Sequence, residues 1–405
     1  MAVIDDRWTV ERDGQRVPTD RFGSGKRWRV RYRTPNGQQR NRAFDRKVDA
    51  QRFSTTVEAA KLNGSYIAPE AGRLTIRDWA QRWIEGQSHL KPSTAERYRG
   101  IIREHIQPKW GDVQLSNVSH ADVQGWVRTL ADHRSPATVR KIHRVLSLVL
   151  DLAVKDGRLV RNPAAGVSLP RVADGERRYL THLQVEQLAA HVAQPYTGTS
   201  RVSDADREAA HVYRLVVLFL AYTGCRFGEM AALRVRSLDV ARRRALISES
   251  VTVIKGVQTW GTPKGHARRE VPIPRFLVEE LSRHVAGRAP EDLVFNGVKG
   301  GALRSQVFQR AALSDAARVI GVEGLHPHEL RHTAASLAIA SGANVKVVQQ
   351  MLGHKSATMT LDLYGHLFED QLDEVADALD LARTAAGVSQ VCPTRDLRRT
   401  GLSSQ

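Results

Sequence analysis

Two stretches punctuated by glycine and proline, NGSYIAPEAGR (63–73) and NPAAGVSLPRVADGERR (162–178), interrupt this chain. Such residues end helices and strands and supply turns, so neither stretch continues a regular element. Three segments remain, and 405 residues suffice for two or three domains with cores of their own. The expected boundaries are 1–66, 72–166 and 176–386, followed by a flexible tail over 387–405.

The first segment contains KRWRVRYR (26–33), which alternates strictly. Side chains on a strand point to opposite faces in turn, so Trp28, Val30 and Tyr32 share one face and Arg29, Arg31 and Arg33 the other. TPNG predicts a turn, QQRNRAF a returning strand, and Lys47–Leu62 has helical spacing. Ten basic and two acidic residues lie between Lys26 and Arg52. The expectation is a small sheet on a helix with its basic face outward. In the second segment TIRDWAQRWIEGQ, STAERYRGIIREHIQPKWG, SHADVQGWVRTLADH and SPATVRKIHRVLSLVLDLAVKDG predict four helices, with Ser93, Ser119 and Ser135 as N-caps. The second and fourth of these helices carry basic faces, Arg97, Arg99 and Arg103 on one and Arg140, Lys141 and Arg144 on the other, and the expected DNA contacts here are Lys91, Thr94, Arg97, Arg140 and Arg144. The third segment predicts helices near 182–193, 207–223 and 226–234, then a strand-rich stretch ending in REVPIP, then further helices. The last helix, FEDQLDEVADALDLARTA, is acidic and amphipathic.

Net charge narrows the class of partner. The chain carries +18 with a pI near 10.4, which favours a polyanion, most simply nucleic acid. Lys and Arg outnumber Asp and Glu by 15 to 8 over 1–69, by 17 to 10 over 70–171 and by 25 to 20 over 172–370. The excess is therefore spread over three segments, as expected of a protein touching DNA through several domains. The run LVVLFLAY is too short to span a bilayer, and the N-terminus has no apolar core like that of a signal peptide. Two cysteines, Cys225 and Cys392, form no disulfide framework or metal motif, which points to a reducing cytoplasm.

The stretch HELRH (328–332) has two chemical readings. As H-E-x-x-H it has the spacing of a zinc protease, with His328 and His332 one helical turn apart. Against this, Arg331 shares the face of His328 and would set a fixed positive charge beside a dication. As H-x-x-R the stretch offers an imidazole and a guanidinium to a phosphate, and then a second cation, a nucleophile and a proton donor are needed. AYTGCRFGEMAALR supplies Arg226 after a glycine turn, with Glu229 one turn later to hold its guanidinium. TPKGHARREVPIP supplies Lys264 at a turn between strands, and MLGHKSATMTLDLYGHL supplies His354 and Tyr364. Each of these is ordinary alone; their order and context together carry the signal.

That order, TG-x-R-x-GE, a hairpin lysine, H-x-x-R-H, LGH and Y-x-H, resembles the tyrosine recombinases, specifically phage-type integrases. The family's positions fall on Arg226, Lys264, His328, Arg331, His354 and Tyr364. Residues 90–126 are similar to its helical, SAM-like core-binding domain, and the basic sheet at 26–60 looks like an arm-type DNA-binding domain. Phe227 stands where an arginine is common, and the tail has no counterpart. The resemblance implies a multi-domain fold, mainly α with α+β parts: an arm domain, a core-binding domain and a catalytic domain. It also implies strand cleavage without metal or other cofactor, double-stranded attachment sites and a homo-tetramer on synapsed DNA. Many members use an excisionase and a host DNA-bending protein. Arg226, Arg331 and His354 would hold the phosphate, Tyr364 would attack it, Lys264 would protonate the leaving oxygen, and His328 would move the tyrosine proton or orient the phosphate. Glu229 would support Arg226, and Glu329 and His332 would be structural. Rival readings are a type IB topoisomerase, a resolvase of chromosome or plasmid dimers, a silent DNA-binding protein and the metalloprotease.

Overall fold

A computed structural model describes residues 2–12, 14–34, 37–63, 66–67, 71–173, 178–194, 203–263, 268–298, 300–368 and 372–386. The chain forms two compact units, 1–174 and 175–405.

The N-terminal unit holds two separate hydrophobic clusters. In the first, strands β1 (Val3–Asp6), β4 (Trp28–Arg33) and β5 (Gln39–Phe44) form an antiparallel sheet with β4 in the middle. A hairpin, β2 (Thr9–Arg12) and β3 (Gln15–Pro18), stands beside it in sequence. The expected alternation holds over the later part of β4, where Val30 and Tyr32 are buried and Arg31 and Arg33 exposed, whereas Trp28 and Arg29 at its start are both half-buried. Helix α1 (Lys47–Leu62) covers the apolar face through Ala50 and Val57. Strands β1 to β3 carry no clear sequence signal, because their side chains are mostly half-buried or exposed. The central residues of the TPNG turn lie outside the described residues.

The second cluster is helical. Helix α2 (Ile76–Glu85) precedes α3 (Pro92–Ile101), which runs through a π turn into α4 (Gln107–Trp110). Helices α5 (His120–Ala131) and α6 (Pro136–Lys155) complete it. Trp79, Trp83, Ile106, Ile142, Leu146 and Leu150 fill the centre, and the Trp79 indole donates to the Val149 carbonyl at 3.0 Å. Ser119 caps α5 by accepting from the Asp122 amide at 3.1 Å, and Ser135 occupies the N-cap of α6. Ser93 is a correction: Lys91 is the N-cap of α3. Pro92 takes the first helical position, where its missing N–H leaves no bond unmade, and this moves the cap upstream.

The C-terminal unit opens with α7 (His182–Val192), α8 (Asp204–Thr223) and the single turn α9 (Phe227–Met230). Then come β6 (Leu238–Asp239), β7 (Arg244–Ile247), β8 (Ser250–Ile254), β9 (Val257–Gly261) and β10 (Arg269–Pro272). These make an antiparallel sheet of order β10-β7-β6 and a separate β8-β9 hairpin. Helices α10 (Arg275–Val285), α11 (Ser305–Phe308), α12 (Ser314–Val319), α13 (Pro327–Ala340), α14 (Val345–Leu352), α15 (Ala357–Tyr364) and α16 (Leu372–Ala385) follow. The run LVVLFLAY has no polar stripe, and a helix apolar all round must be enclosed. Accordingly Leu215 to Ala221 of α8 are all buried, between α7 and α13 among others. Each such leucine contributes about 2 kcal/mol of apolar burial. The overall composition is mainly helical with small sheets, as the sequence predicted. No helix among the described residues is long and apolar enough to cross a membrane.

Candidate active site

The site grows from the end of α8. Gly224 closes that helix with φ of +65°, a left-handed conformation that glycine adopts without strain. It also lies under α14, where an added Cβ would come within 2.7 Å of Leu352 Cδ2. The chain turns here and Arg226 becomes the N-cap of α9. Glu229, one turn on, accepts from the Arg226 amide at 3.0 Å through Oε2 and from Arg226 Nη1 at 2.8 Å through Oε1. One carboxylate thus caps the helix and holds the guanidinium.

Glu229 is 1% exposed and has a second cationic partner that the sequence reading missed. Arg269, from β10, donates Nη2 to Glu229 Oε2 at 2.6 Å and Nε to the Met351 carbonyl at 3.0 Å. Burial pushes the Glu229 carboxyl up, but the hydrogen bond and charge of Arg269, with the amide and charge of Arg226, bring it below its ordinary value. A signal for Arg269 existed. In ARREVPI strand alternation puts residue 269 on the same face as Val271 and Ile273, both buried, so a basic side chain points inward.

Arg331, from α13, is 3% exposed. Its Nη1 donates to the Gly224 carbonyl and its Nη2 to the Leu352 carbonyl, both at 2.6 Å. These carbonyls end α8 and α14, where helix dipoles favour a cation. Burial and the nearby Arg226 lower its pKa to about 10, so it stays charged at neutral pH. Gly353 ends α14 with φ of +65°, and His354 follows it. His354 Nδ1 lies 3.1 Å from Thr360 Oγ1. Burial, then the charges of Arg331 and Arg226, push its pKa down to about 4, so its imidazole is neutral.

Tyr364 ends α15 and is 1% exposed. Its hydroxyl lies 2.8 Å from His332 Nδ1. From the sequence, His328 moves the tyrosine proton or orients the phosphate, and His332 is structural. The structure puts His332 on the hydroxyl, and the His328 ring 5.0 Å from the His332 ring. Residues 328 and 332 share a helical face, so sequence alone could not choose between them. His328 instead lines a cleft of about 390 Å³ with Phe227, Gln306, Gln309, Arg310 and His326. Glu329 caps α13 by accepting from the His326 amide at 2.7 Å, a structural role as expected. Lys264 lies outside the described residues.

The structure therefore gathers Arg226, Glu229, Arg331 and His354 around the ends of α8 and α14, with Tyr364 and the histidines of α13 beside them. The proposed DNA contacts belong to the N-terminal unit. Arg29 and Arg31 pair with Asp5, at 3.1 and 2.6 Å, while Arg33 is exposed. Lys91, Arg97, Arg140 and Arg144 are exposed, and Thr94 is half-buried.

Comparison with known proteins decides the family. The profile described as phage integrase family matches residues 178–371, and the phage integrase N-terminal SAM-like domain matches 75–131. The chain belongs to the phage integrase family. This integrase is 25% identical to the integrase of Mycobacterium phage D29 over 373 residues, 87% of this chain and 91% of that one. Its fold is that of the Tn1549 transposon integrase in complex with transposon right end DNA, with a TM-score of 0.61 at 20% identity, covering 77% of this chain and all of that one. A lambda integrase tetramer bound to a Holliday junction matches with a TM-score of 0.52 at 18% identity, covering 81% of this chain and 94% of that one. As a tyrosine recombinase of phage type, the integrase cleaves and rejoins DNA strands.

Proposed function

We propose that Tyr364 is the nucleophile of this integrase and that Arg226, Arg331 and His354 hold the scissile phosphate. The observation that carries this reading is the convergence of Arg226 and Arg331 on the turn at Gly224, with His354 beside them. Attack on a phosphodiester builds negative charge on its nonbridging oxygens, and two guanidiniums and an imidazole are suited to bind it. The Tyr364 oxygen bonds to phosphorus, its proton passes to His332 with His328 alongside, and the bond to the 5′ oxygen breaks. Lys264 protonates that oxygen. A 3′-phosphotyrosine remains, which conserves the bond energy for rejoining without a cofactor.

Residues 1–66 serve as the arm-type DNA-binding domain, 72–166 as the core-binding domain and 176–386 as the catalytic domain. Arg29, Arg31, Arg33, Lys91, Thr94, Arg97, Arg140 and Arg144 contact double-stranded attachment sites, in support of which stand the basic faces described above. Four copies act on two synapsed sites, as in the lambda integrase tetramer bound to a Holliday junction. Helix α16 supports such an assembly, since Val375, Leu379 and Leu381 are left exposed on it. The work of the protein is integration of a mobile element in the bacterial cytoplasm, with an excisionase and a DNA-bending protein as accessory partners.

Covalent capture tests this reading. The integrase is incubated with nicked, fragmented DNA from its source element in excess EDTA, then denatured. Adducts are expected with the wild type and none with Tyr364→Phe. Adducts that persist in Tyr364→Phe would remove this tyrosine from the nucleophile's place, and adducts abolished by EDTA alone would demand a metal.

A further inference from the structure

Among the described residues of the catalytic unit, Arg269 is a largely enclosed guanidinium that neither the family motif nor the phosphate chemistry requires. Arg269 has a side chain only 10% exposed, set against a Glu229 side chain with no exposure at all. Its two bonds run in different directions. Nη2 reaches Glu229, the residue that aims Arg226, and Nε reaches the carbonyl of Met351 near the end of α14. The next carbonyl, that of Leu352, is held by Arg331. Gly353 then packs on the Arg269 side chain so closely that an added Cβ would lie 3.0 Å from Arg269 Cδ. His354 follows directly. Arg269 therefore touches both the anchor of Arg226 and the turn that presents His354.

Charge adds a second reason. Glu229 carries one negative charge and Arg226 one positive, so the pair alone would nearly cancel. Arg269 takes a share of Glu229 and leaves more of the Arg226 charge for an incoming phosphate. A planar guanidinium can serve two acceptors in divergent directions, whereas a lysine places a single point charge.

We propose that Arg269 is a positioning residue for strand cleavage: it joins Glu229 to the Met351–Gly353 turn and so fixes Arg226 and His354 around one phosphate. The proposal rests on the active-site reading above. It extends that reading to a residue outside the family's catalytic set.

The test is single-turnover formation of the covalent adduct on a nicked duplex recovered by the capture experiment. The full-length integrase is compared with Arg269→Met and Arg269→Lys at saturating protein, with duplex affinity measured in parallel. An ångström of misplacement costs about a hundredfold in rate, so Arg269→Met is expected to be slowed about a hundredfold and Arg269→Lys about tenfold, with affinity little changed. A merely structural residue would act independently of Arg226. The Arg269→Met substitution is therefore repeated in an Arg226→Lys background, where its effect is expected to shrink to a few-fold. Full additivity would overturn the proposal, as would an unslowed Arg269→Met. Should Arg269→Met not fold, Arg269→Gln with Glu229→Gln is compared with Glu229→Gln alone. Further slowing of about tenfold is expected there through loss of the Met351 contact, and equal rates would overturn the proposal. If the wild type itself forms no adduct, the active-site reading falls instead, which keeps the two failures apart.

Discussion

At the scale of single residues, the site owes its character to burial acting against charge. His354 shows this most plainly. Its folded pKa, about 4, lies below its ordinary value of 6.5. Between these values the unfolded chain binds a proton that the folded chain refuses, so stability rises with pH across that window and falls on acidification. The contribution is complete above 6.5 and lost below about 4. His143 and His284 are lowered in the same direction by their own burial, so the comparison needs a variant. The melting temperature of wild type is expected to drop more between pH 7.5 and pH 4.5 than that of His354→Gln; equal drops would assign the slope to the other histidines. Cys225, beside Arg226, is 1% exposed, and burial pushes its thiol up to about 11. A Cys392→Ser variant should therefore show no thiol reactive toward an aromatic disulfide until it is unfolded, and a fast native reaction would contradict this burial.

At the scale of elements, helix ends do most of the positioning. The C-termini of α8 and α14 offer carbonyls to Arg331, the first turn of α9 sets Arg226, and the end of α15 carries Tyr364. Gly224 is where two of these meet. A Gly224→Ala change forces a left-handed alanine and a contact with Leu352, a combination of backbone strain and overpacking worth about 3 kcal/mol. Thermal unfolding followed by calorimetry should show that loss, and an unshifted transition would mean that α14 moves aside. Much at this scale is legible locally. The predicted helix 47–62 is the observed one, and the alternation on β4 sorts its arginines from its core residues. The N-cap of α3 shows the limit, because a proline overrides the serine beside it.

At the scale of the whole molecule, the charge of +18 is the governing property. Binding to duplex DNA is expected to weaken steeply with salt, and Arg97→Ala, Arg140→Ala and Arg144→Ala should each reduce the log–log slope by about 1. A slope unchanged by all three would remove α3 and α6 from the interface. Asp5 offsets two arginines of the N-terminal sheet, so Asp5→Asn is expected to tighten binding to random-sequence duplex. Affinity that stays the same would turn that face away from DNA. Replacing Val375, Leu379 and Leu381 with serine should abolish higher-order complexes on DNA while leaving single-copy binding intact, as read by native gel shift; retained complexes would exclude α16 from the assembly.

Family, reaction class and the identities of Arg226, Arg331, His354 and Tyr364 as candidates are all legible in the sequence, because motifs and periodicity are local properties of a chain. Apart from Glu229, one turn from Arg226, the partners of those residues are not. Arg331 reaches a carbonyl 107 positions away, Arg269 bonds residues 40 and 82 positions away, and Tyr364 meets a histidine 32 positions away. Such pairs leave no trace in local spacing. Only the packing of α8, α13, α14 and β10 against one another decides that His332, rather than His328, lies on the tyrosine, and that a third arginine holds the site together.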